Sequence, residues 1–517
     1  MMTMGTPLPF APAPASRARP ARLRAPARLT RGALAIASLV ALGACTALAP
    51  SQKADAPTSA QYLEPPPGWM AAAPADTLTR GPWWTLFNDP VLDELAPQVA
   101  VSNQNIAAAA AAVEESRAAV REQRASFFPT LSLDAGATRS GVGGKKSTSS
   151  SSSGGSGSSG SSSTTATSSS TGNRFTLGLG ASWEPDLWGR IANTVSAAQA
   201  NAQASEADLA NATLSAQTAF AVDYLSVREA DAEIVTLRST IEGYQRALQI
   251  TQNRYAAAIA QKSDVLQAQT TLANAQADLA SLQQQRAQLF HAMAVLAGQP
   301  PATFNLPAGD WNATAVPAIP AGLPSDLLQR RPDSASAERK VAAANANIGV
   351  QRAAYFPSLT LSASGTQGST RLSDLFNASS FAWSLGLSLA ETIFDGGARS
   401  ARVDEAQATW KQSVAQYRQT VLTAFSGVED QLSAASSLEQ QQALRKVASQ
   451  AADQTEQEMQ NRYKQGLVAY TDVVTAQASA LSARRALMQV SLNRQTAAIN
   501  MVAALGGGWS TQQLAAN

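Results

Sequence analysis

The sequence predicts a mainly α-helical chain that carries transmembrane β-strands, in a duplicated helix-strand-strand-helix-helix arrangement. Three observations predict it: a long internal repeat, two runs per copy in which large apolar and small residues alternate, and helical stretches much longer than a membrane is thick. Composition agrees. Only 15% of the 517 residues are charged, the net charge is +2, and aromatic residues make up 6%. A chain rich in Ala, Gln, Ser and Leu suits long helices packed through small side chains, and it offers no basic surface for nucleic acid.

Residues 1–44 read as a lipoprotein signal peptide. Arg17, Arg19, Arg22, Arg24, Arg28 and Arg31 precede an apolar run over residues 33–42, and small residues then lead to Cys45, the only cysteine. The run is too short to span a bilayer, which takes ~20 apolar residues. Cleavage before Cys45 puts an N-acyl and S-diacylglycerol lipid on that residue and leaves no thiol for a disulfide. Thr46 stands where retention in the inner membrane usually requires Asp, which favours the outer membrane. Residues 45–91 then form an extended N-terminal segment.

The repeat appears when RASFFPTLSL at 124–133 is laid on RAAYFPSLTL at 352–361, a shift of 352 − 124 = 228. Further on, Asn253-Arg254-Tyr255 with Asp264-Val265 and Ala268-Gln269 matches Asn461-Arg462-Tyr463 with Asp472-Val473 and Ala476-Gln477, a shift of 462 − 254 = 208. The difference, 228 − 208 = 20 residues, is extra sequence in the first copy, where the serine tract 147–170 lies. The first repeat thus covers 92–310 with a Ser-rich loop insert at 140–172, too polar to fold; the second covers 311–508, and 509–517 is a tail.

Strands are expected at about 131–138 and 175–183, and again at about 359–365 and 381–389. In the last of these Phe381, Trp383, Leu385, Leu387 and Leu389 alternate with Ala382, Ser384, Gly386 and Ser388, which puts every large side chain on one face. Its length is that of a membrane strand, ~9 to 11 residues. Four strands cannot close a barrel, which takes about 8 or more, and open edges are not tolerated in lipid, so the chain must oligomerise. The competing reading is a soluble four-stranded sheet buried under helices, which one-sided alternation disfavours.

The long helices carry apolar residues at Val403, Ala406, Trp410, Val414, Tyr417, Val421, Phe425, Val428 and Leu432, in steps of 3, 4, 4. An 11-residue period gives a nearly straight helix, unlike the heptads of a left-handed coiled coil. In the first copy Val195, Ala198, Ala202, Leu209, Phe220 and Tyr224 keep this register, while Glu206, Thr213 and Gln217 break it. From Gly189 to Arg254 nothing interrupts the helix, which at 1.5 Å per residue reaches roughly 100 Å. Such helices project into water beside the membrane, and the short strands sit in lipid.

WWTLFNDP at 83–90, with Leu92 and Leu95, and WEPDLWGR at 183–190 resemble segments of the TolC and OprM outer-membrane factors, most closely the NodT-like lipoproteins of tripartite efflux pumps. Arg331-Pro332-Asp333 and Phe394-Asp395-Gly396-Gly397 add weaker likenesses. The resemblance implies a homotrimer in the outer membrane. Its twelve strands form one β-barrel, continued by a periplasmic α-helical barrel closed at its far end. It implies a passive efflux conduit for drugs or other small toxic compounds, working with a periplasmic adaptor and an inner-membrane pump, commonly of the RND type.

The resemblance also implies site residues. The adaptor docks on helix-turn-helix tips, where Gly466 and Leu467 match the family's tip motif. The first copy has Ala258 and Ile259 instead, so a different capping is expected there. At the closed end Asp472 matches the first of two aspartates three residues apart, and Thr475 takes the second position, so cation selectivity is expected to be milder. Asp264 is its first-copy counterpart. The alternative role for Asp472 and Asp264 is helix capping after the turn. Tyr463 matches a residue that latches the helices shut, but its usual basic partner position holds Val468.

Little in the sequence points to chemistry. His291, the single histidine, lies in a run of Ala, Met and Leu and reads as a packing residue. No P-loop, dinucleotide turn, metal-ligand cluster or catalytic serine stands out, so neither an enzyme nor a metal site is expected. Two alternatives stay open: a duct for type I protein secretion or metal-ion efflux, and a lipid-anchored coiled-coil stalk. The stalk requires heptads and no membrane strands.

Overall fold

The computed structural model describes Asp55 and residues 82–141, 171–307, 309–313, 316–317 and 330–508. The signal peptide, Cys45, the serine tract and the tail 509–517 lie outside the described residues. A 3-10 turn, Trp83–Phe87, leads into α1 (Pro90–Ser102) and α2 (Gln104–Ala125). The first copy continues with β1 (Thr130–Gly141), β2 (Thr171–Trp183), α3 (Arg190–Ala256) and α4 (Lys262–Leu296). The second consists of α5 (Pro332–Ala353), β3 (Ser358–Ser369), β4 (Phe381–Ala390), α6 (Ala398–Lys464) and α7 (Tyr470–Ala504). Equivalent helices have equal lengths: 22 residues in α2 and α5, 67 in α3 and α6, 35 in α4 and α7. No described helix is long and apolar enough to cross a membrane.

Short motifs make each turn between helix and strand. Both α2 and α5 end just before Phe128-Pro129 and Phe356-Pro357, because the residue before a proline is pushed out of helical conformation. Each return from strand to long helix uses an aspartate and a glycine. Asp186 accepts hydrogen bonds from the backbone N–H of Ile191 at 3.1 Å and Ala192 at 2.7 Å, and Gly189 turns the chain with φ of 73°. Asp395 does the same with Gly397 N–H at 3.1 Å and Arg399 N–H at 3.0 Å, where Gly397 has φ of 92°. These carboxylates satisfy N–H groups that a helix start leaves unpaired. The Trp188 indole ties the two copies together at this level, donating to the Pro357 carbonyl at 2.7 Å and stacking on Phe356 at 4.8 Å.

The four strands form one antiparallel sheet in the order β1-β2-β3-β4. They run longer than side-chain alternation marks, because backbone pairing continues through Arg139, Ser140 and Gly141 opposite Asn173, Gly172 and Thr171. Residues 140–141 and 171–172, expected in the loop insert, are therefore strand. The register aligns Leu133 with Leu179, Leu179 with Gly365, and Gly365 with Trp383, so the large apolar residues of all four strands share one face. The opposite face carries Ser132, Gly180, Ser364 and Ser384 in one cross-strand row. Both β1 and β4 are exposed along their whole length, which overturns the reading of a sheet buried under helices. Leu385 is 76% exposed and Trp383 70%. An apolar face this open belongs in an apolar medium.

Each long helix meets its neighbours along the expected stripe. All nine apolar positions from Val403 to Leu432 are buried or half-buried. In α3 the break in register has a physical reason, because half-buried Glu206 takes both hydrogen bonds of Arg117 from α2, at 2.6 and 3.0 Å. The main core gathers Trp83, Trp84, Phe87, Leu92, Phe220, Tyr224, Met293, Val428, Leu432 and Ile499. There Asp89 both caps α1 and accepts the Tyr224 hydroxyl at 2.6 Å, fastening the N-terminal segment to the middle of α3.

The two faces of the sheet should respond oppositely to charge. Leu385→Arg is expected to cost about 2–4 kcal/mol of membrane stability, while Ser384→Arg on the other face costs about 1 kcal/mol or less. Membrane fractionation with a heat-modifiability gel checks this, and equal effects of the two variants would refute the assignment of faces.

Candidate gate and docking tips

The long helices of each copy end in equivalent turns. Between α3 and α4, Ile259 N–H bonds the Arg254 carbonyl at 2.8 Å and Ala258 N–H bonds Tyr255 at 2.9 Å. Between α6 and α7, Leu467 N–H bonds Arg462 at 2.9 Å and Gly466 N–H bonds Tyr463 at 2.9 Å. Both are Schellman-type caps with the pivotal residue left-handed, φ being 58° at Ala258 and 80° at Gly466. The expected difference in capping is therefore absent. The hydrogen-bond pattern sets the backbone, and Ala258 carries the strain that glycine avoids, about 1 kcal/mol. Ile259 and Leu467 stand out at these tips, 67% and 69% exposed.

Asp472 lies in the first turn of α7. Its Oδ2 accepts from the backbone N–H of Ala469 at 3.2 Å, so it does cap its helix, and its side chain is exposed. Thr475, one turn on and also exposed, donates to the Thr471 carbonyl at 2.9 Å. Asp264 occupies the matching place in α4 and is half-buried. The structure brings it toward Tyr470, whose phenol is pushed up to about 12, first by burial and then by Tyr463, Tyr244 and Asp264.

Tyr463 is 7% exposed and packs with Tyr470, ring centroids 5.3 Å apart, beside Ala268 and Val473. Val468 joins this apolar group as a half-buried neighbour. The basic partner comes from the other copy. The Arg254 guanidinium lies 4.4 Å above the Tyr463 ring and donates to its backbone carbonyl at 2.8 Å. Sequence reading found Arg254 within a repeated Asn-Arg-Tyr segment but gave it no role, since nothing in that segment says where the side chain reaches. A cavity of about 340 Å³ opens beside this contact, edged by Tyr244, Glu456, Gln477 and Arg484. His291, expected in packing, is exposed, with its ring edge-on to Phe290 at 6.3 Å.

At the second tip, Gly466→Ala should keep the turn, as Ala258 shows by example, and lower stability by about 1 kcal/mol. Thermal unfolding measures it. A neutral effect would mean that the left-handed conformation is not retained there.

The model of the family described as "Outer membrane efflux protein" matches residues 95–299 and 323–507. The pyoverdine export outer membrane protein OpmQ of Pseudomonas aeruginosa is 30% identical over 488 residues, covering 93% of this chain and 98% of that protein. The antibiotic efflux pump outer membrane protein ArpC of Pseudomonas putida is 31% identical over 486 residues, covering 94% of this chain and 96% of that protein. Among solved structures, CusC superposes with a TM-score of 0.76 at 28% identity, over 89% of this chain and 99% of that one. Family likeness thus runs through both copies, helices and strands alike, and the chain belongs to the outer membrane efflux proteins, a family of ducts and not of enzymes.

Proposed function

We propose that this outer-membrane efflux duct works as a lipid-anchored homotrimer whose far end is closed by the α6–α7 turns. The observation that carries the reading is the pair of open edges. Among the described residues β1 pairs only with β2 and β4 only with β3, so each chain presents two rows of unpaired backbone groups that lipid cannot satisfy. Pairing β4 of one copy with β1 of the next, in three copies, gives 3 × 4 = 12 strands and no edge. The apolar face then meets lipid, and the Ser/Gly/Thr face lines the pore.

The long helices continue this barrel into the periplasm, and Cys45, acylated, holds the N-terminal segment to the membrane. Exposed Ile259 and Leu467, with Ala258 and Gly466 shaping their turns, form the adaptor-docking tips. Beyond the adaptor stands an inner-membrane pump, of the RND type, that supplies energy. Three Asp472 carboxylates facing one another at the tip repel and draw a cation between them; Thr475 adds no second ring, so the seal is weaker than a double ring. Arg254 and Tyr463 hold the second coil against the first in the closed state. Drugs or other small toxic compounds are the cargo, in keeping with relatives named for antibiotic and pyoverdine export.

Deletion in the host should raise drug accumulation, and wild-type protein should restore it together with a heat-resistant trimer. Cys45→Ala is expected to reduce the amount of trimer in the outer membrane. Unchanged accumulation with monomer alone would sink the reading. For the gate, planar-bilayer conductance is expected to rise for Asp472→Asn, which keeps an acceptor for Ala469 N–H and removes the charge. A rise confined to Asp472→Ala would leave Asp472 as a cap only.

A further inference from the structure

We propose that Glu229, Glu233 and Arg485 form a proton-dependent latch, well above the tips, that holds the α6–α7 coil against the α3–α4 coil. This rests on the closed-duct reading above. Glu229 and Glu233 are one helical turn apart on α3 and are 7% and 8% exposed, an unusual burial for two like charges. One cation reaches them from α7: Arg485 Nε lies 2.5 Å from Glu233 Oε1. The same guanidinium stands 3.8 Å from Asp278 of α4, so it joins three helices from both copies.

The neighbouring charges are otherwise engaged. Arg286 of α4 is paired with Asp231 of α3 at 2.6 Å, and Arg484 of α7 with Asp453 and Glu456 of α6 at 2.7 and 2.8 Å. Arg228 of α3 donates to the Pro307 carbonyl at 2.7 Å. Among the described residues one guanidinium, that of Arg485, is thus paired with this group of three carboxylates. Two buried carboxylates one helical turn apart cannot both ionise cheaply away from water. Burial, then the charge of Glu233, pushes the Glu229 carboxyl up to about 7. In its protonated form Glu229 donates its O–H to Glu233, whose carboxylate also takes Arg485.

The duplication did not bring this cluster with it. Shifting by 208 places Ser437 opposite Glu229, Gln441 opposite Glu233, and Ala277 opposite Arg485 (229 + 208 = 437, 233 + 208 = 441, 485 − 208 = 277). In the second copy Ser437 and Gln441 are exposed, so neither the charge nor its burial is repeated, and the buried acids are a departure from the repeat.

A carboxyl whose folded-state pKa is raised contributes contact strength that is fully present below its unfolded value. That strength is lost as pH rises through the folded one, here between 4.5 and about 7. An acidic periplasm therefore closes the latch. As pH rises, Glu229 ionises beside Glu233, the cluster gains an uncompensated buried charge, and the coils separate more readily.

The test takes full-length trimer in planar bilayers, with the helical-barrel side moved from about pH 5 to about pH 8. Wild type is expected to show a several-fold rise in conductance. Glu229→Gln, which still donates to Glu233 but cannot ionise, should lose that rise and stay at the low level. Arg485→Ala should be open at both ends of the range. Probes at Ile259→Cys and Leu467→Cys give a readout that ignores ion flow: their separation should grow with pH in wild type and stay fixed with Glu229→Gln. A wild-type conductance that does not change with pH, or a Glu229→Gln variant that titrates like wild type, would overturn the latch. So would a conductance rise with constant probe separation, which places the titration at Asp472. Failure of Asp472→Asn alone would count against the tip gate and leave the latch standing.

Discussion

Backbone hydrogen bonding in the absence of water is the constraint on which this architecture depends. Within one chain β2 and β3 are satisfied on both sides, while β1 and β4 are satisfied on one. The deficit cannot be met by a helix, because β1 and β4 are uncovered along their length. In the proposed trimer it is met by the edge of a neighbouring chain's sheet. Sheet closure then places the long helices side by side as continuations of the strands, and their nearly straight 11-residue stripe lets them stand as staves.

Passing from sheet to stave is a local problem, solved twice with the same parts. A strand delivers the chain in extended form, and a helix start needs acceptors for its first N–H groups. Asp186 and Asp395 supply them, and Gly189 and Gly397 take the left-handed conformation that aims the chain into the helix. Family-specific sequence collects at these points. The same holds for Asp89, whose two oxygens serve the start of α1 and the Tyr224 hydroxyl.

Polar contacts join the two copies at several levels, among them Trp188 with Pro357 beside the sheet and Lys340 with Asp208 below it. Two others set a guanidinium against the long coils. Near the tips Arg254 reaches Tyr463; higher up, Arg485 reaches Glu233 and approaches Asp278. Each sets one guanidinium against groups from the other half. Apolar stripes bind a coil internally, but these contacts decide how firmly one coil lies on the other. Only the second has a titrating carboxyl beside it, Glu229, so pH acts there and not on the Arg254 contact.

Periodicity was enough to read the strands, their apolar face, the lengths of the long helices and the duplication, since each depends on spacing along the chain. Asp472, Thr475, Gly466 and Leu467 were singled out by the family resemblance, and the structure places all four at the α6–α7 turn and the first turns of α7. What the sequence left out follows from contacts between distant segments. It did not show that Ala258 adopts the glycine conformation, that Glu206 is matched by Arg117, or that Arg254 supplies the cation missing at Val468. Nor did it show that Glu229 and Glu233 are buried, because two glutamates one turn apart on a helix look like a solvated face until another helix is laid over them. Local backbone preferences and hydrophobic period are properties of the chain alone; partner, burial and charge state are set only when helices from the two copies meet.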